Sequence, residues 1–392
     1  MRLRKQIAWT LVLQGGGAVA GLASIALLGF YLGPEAQGVF SLIKIEVAFI
    51  GSIAIFGLTQ SLFYHVQSAR MSIGRAKEIA LAMAVVGGFS ALGYGVFVQS
   101  WTGFDLIAFV FACMAYVWFG ILRGVVLAAA TTRIFNFMSV MPQGLLLLYA
   151  VFAILSGHIN NFDVALAFAA TFGVSAVCGI RWLTPVTLES RPVTMEERLP
   201  SVFKFGLASG LAEVAASVSL LLAVKEVGSR FGVHELGVFT FAVMLAQGLL
   251  LPISYTVPLL FKRWMERPDA LGSMKSAVLV AAILGGLALV IRYIIIYIIP
   301  ITWLGAYSSI SLFLWILFLA IAFDGCQKIL AVYANAQGTP GLSPTSEIIR
   351  LIIVASGLAF FPIQQVSDVA WIVCAAAMVS SALLLFKHHH MK

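Results

Sequence analysis

Gly33-Pro34-Glu35-Ala36-Gln37-Gly38-Val39-Phe40 stands early in the chain, and Gly232-Val233-His234-Glu235-Leu236-Gly237-Val238-Phe239 echoes it 199 residues later. The correspondence runs outward at the same offset, pairing Lys5 with Lys204, Gln14 with Glu213, Gly29 with Gly228 and Ser41 with Thr240. With the offset relaxed by one residue, Leu62-Phe63 falls on Leu260-Phe261. In a chain this apolar, a repeat of half the length means two homologous bundles of membrane helices. Folds of that kind usually place a substrate site between the halves, so the repeat points to a transporter architecture.

Composition agrees. The 392 residues are 61% hydrophobic and only 10% charged, against about 25% charged in an ordinary soluble protein. Apolar runs of about 20 residues, each long enough to cross ~30 Å of hydrocarbon, recur along nearly the whole length. Period-2 alternation is absent, which excludes a barrel and leaves an all-α integral membrane protein. Spans are expected near 7–32, 38–63, 78–100, 105–128, 137–156, 162–184, 202–225, 237–260, 275–299, 303–331, 346–362 and 367–386. This gives about 12 transmembrane helices in two homologous six-helix lobes around a central cavity. The lobes are 1–186 and 201–392, with a polar cytoplasmic linker at 187–200.

Loop charge sets the orientation. Alternate loops carry Arg70, Arg75 and Lys77, then Arg133, then Arg181, Arg191 and Arg198, then Lys262, Arg263 and Arg267, and finally Lys387 and Lys392. The opposite loops carry Glu35, Asp105, Asp163, Glu226, Glu235 and Asp368, with Lys225 and Arg230 nearby. The positive-inside rule therefore puts both termini in the cytoplasm. The formal charge of +8 follows from this topology, and no nucleic-acid partner is expected. The first run, from Ile7 to Leu32, is too long for a signal-peptide core and reads as a span.

Enzymatic signatures are missing. The sequence holds no phosphate loop, no HExxH and no GxSxG, and every outward loop is too short for a catalytic domain. Cys113, Cys178, Cys326 and Cys374 lie singly in apolar runs and read as small buried side chains, with neither a disulfide nor a metal spacing. The closing His388-His389-His390 reads as a tail or a cloning remnant rather than a metal site.

The informative residues are ionisable groups inside apolar runs. A charge at the bilayer centre costs about 2.5–3.5 kcal/mol or more, so such groups normally face protein or a wet cavity. Lys44 and Glu46 fall about 9–12 Å below the outer surface, and Arg292 stands at a similar depth from the same side. A cationic cavity built from Lys44 and Arg292 suits an anionic headgroup, because lysine offers a point charge and arginine a bidentate fork. Internal ion pairing or snorkelling is the alternative. Glu213, near the midplane, is a candidate for proton or sodium coupling, and Gln14 is its uncharged repeat partner. Asp324, Lys328, Glu347, Arg350 and Arg123 fall near the cytoplasmic edge, where anchoring, interhelix pairing or a share in an inward gate are the readings. Gly15, Gly16, Gly17 and Gly21 let helices approach closely.

The stretch Leu32-Gly33-Pro34-Glu35-Ala36-Gln37-Gly38-Val39-Phe40-Ser41-Leu42 resembles the bacterial polysaccharide flippases, the O-antigen and related translocases. They belong to the multidrug/oligosaccharidyl-lipid/polysaccharide exporter superfamily. Ile55-Phe56-Gly57-Leu58-Thr59-Gln60-Ser61-Leu62 resembles the family's turn closing the second helix, and Asn335-Ala336-Gln337-Gly338-Thr339-Pro340 its loop after the tenth. Tyr64-His65 stands where the family commonly has a basic residue. The resemblance implies alternating access and an undecaprenyl-diphosphate-linked oligosaccharide as cargo. It also implies the bacterial cytoplasmic membrane as location and action as a monomer, with a polysaccharide polymerase and glycosyltransferases as partners beside membrane lipid. Lys44, Arg292, Glu46 and Arg123 become candidate cargo contacts. Glu213, Gln14, Asp324 and Lys328 become candidates for coupling or gating, with no cofactor beyond a proton or sodium gradient. A cation-coupled multidrug exporter of the same fold is the alternative. A membrane-bound polymerase or ligase and a non-transporting scaffold stand further off.

Overall fold

The computed structural model describes residues 2–188, 199–266, 269–297, 305–337 and 342–390. Within them the chain is helical and contains no strand. The helices are α1 (Arg2–Ile55), α2 (Leu58–Gln67), α3 (Ile73–Phe97), α4 (Gly103–Ala129), α5 (Thr132–Ser156) and α6 (Asn161–Leu188). The second half repeats the pattern with α7 (Leu199–Gly248), α8 (Leu251–Glu266), α9 (Ala270–Tyr297), α10 (Ile310–Ala336), α11 (Leu342–Phe360) and α12 (Val366–His390). Ten described helices are long and apolar enough to cross a membrane. Two of them, α1 and α7, are each interrupted by one glycine with non-helical backbone angles.

The interruptions are the sequence repeat made physical. Gly33 breaks α1 at φ 84°, ψ 175°, and Gly232 breaks α7 at φ 86°, ψ 176°. That region of backbone space is essentially closed to residues with a Cβ. In the first copy Pro34 follows directly, its locked φ suited to opening the next helical segment. The second expected span, 38–63, ends earlier than the sequence indicates. Phe56 (φ 38°) and Gly57 (φ 72°) stop α1, and the separate α2 follows.

The chain packs as two compact units, one of Met1–Ser24 with Leu42–Ser217, the other of Ile25–Ser41 with Val218–Lys392. In the first, α4 packs against α2, α3, α5 and α6. Its inward stripe includes Phe109, Ala112, Cys113, Val117, Ile121, Leu122 and Val125, all fully buried and recurring in steps of one, three and four residues as one helix face requires. In the second, α10 packs against α8, α9, α11 and α12 and is buried nearly all round. Bulky apolar side chains such as Phe30, Phe97, Phe104 and Phe360 stand more than 75% exposed. Lipid, not water, is the solvent that tolerates such a surface.

Small residues mark the close approaches, though not all those expected. A Cβ at Gly17 would meet the Val140 side chain at 2.9 Å, and one at Gly21 the Gln143 amide at 2.5 Å. A Cβ at Gly15 or Gly16 would meet nothing within 4 Å, so no close helix approach requires glycine there. All four cysteines are free thiols, three of them buried. α12 continues as helix through His390. Most of the linker 187–200 lies outside the described residues, as do Gly338, Thr339 and Pro340.

Candidate functional site

The two repeat phrases meet each other in the second unit, residue against equivalent residue. His234 Nδ1 lies 2.9 Å from Glu35 Oε1, and its Nε2 lies 3.2 Å from the Ala306 carbonyl oxygen. Two acceptors on one imidazole are both satisfied only when both ring nitrogens carry protons, which is the cationic form. Gly38 backs onto Gly237, and a Cβ on Gly237 would collide with the Pro34 carbonyl oxygen. Gln37 donates to Ser41 at 2.8 Å, with the Met244 sulfur beside both. The Ser309 hydroxyl donates to Glu235 at 3.0 Å. Next to this joint, the Tyr307 hydroxyl would sit 2.5 Å from a Cβ on Gly29. Burial, with the Glu35 carboxylate adding to it, raises the Tyr307 phenol to about 12.

A second polar centre lies among α8, α10, α11 and α12. Arg350 clasps Asp324 with two bonds, at 2.7 and 3.2 Å, the fork-to-carboxylate geometry that gives arginine its strength. Glu347 stands 4.0 Å from the same guanidinium. Gln327 donates to Glu347 at 2.6 Å and to Ser346 at 3.1 Å, and accepts from the Ser380 hydroxyl at 2.9 Å. Lys328 donates to Ser254 at 2.7 Å. Asp324 falls at the middle of α10, not at the cytoplasmic edge that the sequence suggests. Arg350 on α11 reaches it there, so the charge is deep but answered.

The first unit holds two more networks. Glu46 is fully buried and accepts from the Tyr94 hydroxyl at 2.9 Å and from the Gln99 amide. The buried Gln14 donates to Asn136 at 2.6 Å, and Asn136 donates to Thr10 at 2.8 Å. Lys44, two residues from Glu46, is half-buried, and Glu213 on α7 is exposed. The Arg123 guanidinium stacks 5.2 Å from the centre of the Phe135 ring. Arg292 is exposed and lies 4.4 Å from the centre of the Trp315 ring. His65 is buried with Nδ1 3.0 Å from the Ser61 carbonyl oxygen, packed in the core.

Of the residues singled out from sequence, Asp324, Arg350 and Glu347 come together in one network, while Glu46 and Gln14 each enter a network of uncharged partners in the first unit. Sequence reasoning missed Asn136, Tyr94, Gln99, Gln327, Ser346 and Ser380, all uncharged and therefore faint against an apolar background. Two signals were available. Gln327 follows Asp324 by three, and Arg350 follows Glu347 by three, spacings that put each pair on one helix face. Among the described residues no group of His, Cys, Asp and Glu is arranged to hold a metal ion.

No family model matches the sequence, and no curated protein matches it. Solved structures do. The inward-facing form of a multidrug resistance MATE family transporter of the MOP superfamily matches with a TM-score of 0.68 at 14% identity, covering 96% of this chain and 94% of that one. The fold is that of the MATE transporters. The MATE multidrug transporter DinF-BH, solved as a complex, superposes at 0.67 with 14% identity over 98% and 95% of the two chains. A MOP superfamily transporter from Pyrococcus furiosus, described by a reversed polarity of its binding pocket that suggests a different function, gives 0.67 at 13% identity over 98% and 94%. Near-complete coverage in both directions means that the MATE fold accounts for essentially every helix described above.

Proposed function

We propose that this chain is a secondary transporter that moves its cargo across a bacterial cytoplasmic membrane by alternating access. The observation carrying this reading is the match over 96% of the chain to an inward-facing transporter, with a TM-score of 0.65 to an outward-facing one. Neighbours of one fold in two conformations make alternation the natural mechanism. For the cargo, the neighbours' names favour export of small molecules by a multidrug transporter, the alternative reached from sequence. The second reading is the lipid-linked oligosaccharide, and what supports it is the resemblance of the Leu32–Leu42 phrase to the polysaccharide flippases. On that second reading Lys44 is the candidate cation for the cargo diphosphate.

Coupling divides the carboxylates. Asp324 is committed to Arg350 and serves as a structural or gating element, while Glu213, exposed on α7, is the better candidate to exchange a proton or sodium ion. Proteoliposomes decide between the cargoes. Gradient-driven efflux of a cationic dye, abolished by Glu213→Gln in a folded variant, supports the exporter. Gradient-independent or gradient-driven transfer of an undecaprenyl-diphosphate oligosaccharide, reduced at least about tenfold by Lys44→Gln, supports the flippase. Transfer of neither cargo sinks the transporter reading for both classes.

A further inference from the structure

Arg292, Trp315 and Trp371 come from three different helices and form one cluster on the surface of the second unit. The guanidinium carbon of Arg292 lies 4.4 Å from the centre of the Trp315 ring, and Trp315 meets Trp371 edge to face at 5.3 Å. Trp315 stands five residues after Ile310, the first of α10, and Trp371 five after Val366, the first of α12. At 1.5 Å per residue both tryptophans are about 7–8 Å inside their helix ends. Two helix starts thus deliver their tryptophans to one level, the depth at which tryptophans line the membrane–water interface, and the contact with Trp315 holds Arg292 beside them. Ala306 and Ser309, just before α10, bond to the residues after the Gly232 turn, so the cluster faces the leaflet on the side of the Gly33 and Gly232 turns.

The surroundings point to what the cluster binds. Arg292 is exposed, as are Leu289, Val290, Tyr293 and Leu312 beside it, and Trp371 is 46% exposed. Among the described residues no carboxylate pairs with Arg292. Stacking on a ring uses only the face of the guanidinium and leaves its edge N–H donors pointing outward in a fork that matches phosphate oxygens. A positive fork held at headgroup depth, with apolar side chains around it at acyl-chain depth, complements one partner class: a lipid with an anionic phosphate.

We propose that Arg292, braced by Trp315 and Trp371, is a headgroup-binding site for an anionic phospholipid of that leaflet. The site gives Arg292 a role outside any cargo path and stands whichever cargo the transporter carries. Trp315 is a positioning residue, since it orients the fork and does not itself need to touch the phosphate.

Native mass spectrometry of the purified full chain, titrated with phosphatidylglycerol or phosphatidylcholine, tests it. The wild type should retain phosphatidylglycerol at least about fivefold over phosphatidylcholine. Arg292→Gln should bring that ratio close to one, Arg292→Lys should keep an intermediate value, and Trp315→Leu should weaken it about two- to threefold. Arg263→Gln, an exposed charge on α8, serves as a matched loss of one positive charge and should leave the preference intact. Thermal unfolding of each variant without added lipid identifies any that fail to fold, and the Lys and Gln pair keeps the test valid if the Trp variant does. An unchanged ratio in Arg292→Gln overturns the site, as does an equal loss in Arg263→Gln. Displacement of bound lipid by a polyprenyl diphosphate but not by phosphatidylglycerol also overturns it, by assigning Arg292 to cargo.

Discussion

Gly232 and Gly286 both have open space where a Cβ would go, yet substitution acts on them in opposite directions. Gly286 lies inside the regular helix α9, where alanine removes backbone freedom from the unfolded chain and should stabilise by about 0.5–1 kcal/mol. Gly232 sits at φ 86°, where any Cβ strains the backbone by about 1–3 kcal/mol whatever the room around it. Unfolding midpoints in one detergent should rise for Gly286→Ala and fall for Gly232→Ala. A fall for both would mean that helix α9 needs its glycine for packing rather than by default. The conformation at Gly33 and Gly232 was legible in the sequence, since only glycine recurs at that place in both copies. The steric demand at Gly237 was not, because it comes from the carbonyl of Pro34, far away in the chain.

Among the elements, α10 and α11 carry the test of buried charge. The Asp324 and Arg350 side chains are each only 15% exposed, so removing one partner strands the other in an apolar setting. Arg350→Ala should cost about 3–5 kcal/mol, toward the lower end given the residual exposure. Asp324→Leu with Arg350→Met should recover most of it, because a well-packed apolar pair replaces a buried ion pair at little net cost. A double-mutant cycle on thermal stability reads both numbers, and a double variant no better than the single would show that Glu347 and Gln327 depend on the pair. Helix number, order and the repeat were readable from hydropathy because each span is a long local signal. The polar networks were readable only at their charged members. Tyr94, Gln99 and Asn136 acquire meaning from partners 48, 53 and 122 residues distant, and no local pattern encodes that. The depth of Asp324 escapes the sequence for a related reason: loop charge locates helix ends, and a helix of 27 residues overshoots the hydrocarbon core.

Across the whole molecule, the Glu35–His234 contact ties the two halves of the sequence together, and its strength depends on pH. Neutral imidazole donates through one nitrogen only, so deprotonation leaves either Glu35 or the Ala306 carbonyl without its donor. The joint is complete below the ordinary histidine range, about 6.5, and is lost as pH rises through the value the ring takes in the joint. Spin labels at the exposed Tyr31 and Val233 should give a narrower distance distribution at about pH 5.5 than at about pH 8, and His234→Gln should abolish the difference. Identical distributions at both pH values in the wild type would show that the glycine packing alone holds the joint. The same contact also bears on how a duplicated chain recognises itself. Gly38 and Gly237 are alike and express no preference, whereas Glu35 and His234 occupy equivalent places and are opposite in charge when the histidine is protonated. Two first halves meeting in this manner would set carboxylate against carboxylate, and two second halves imidazolium against imidazolium. A single divergence at one repeated position thus makes each half select its counterpart over a copy of itself.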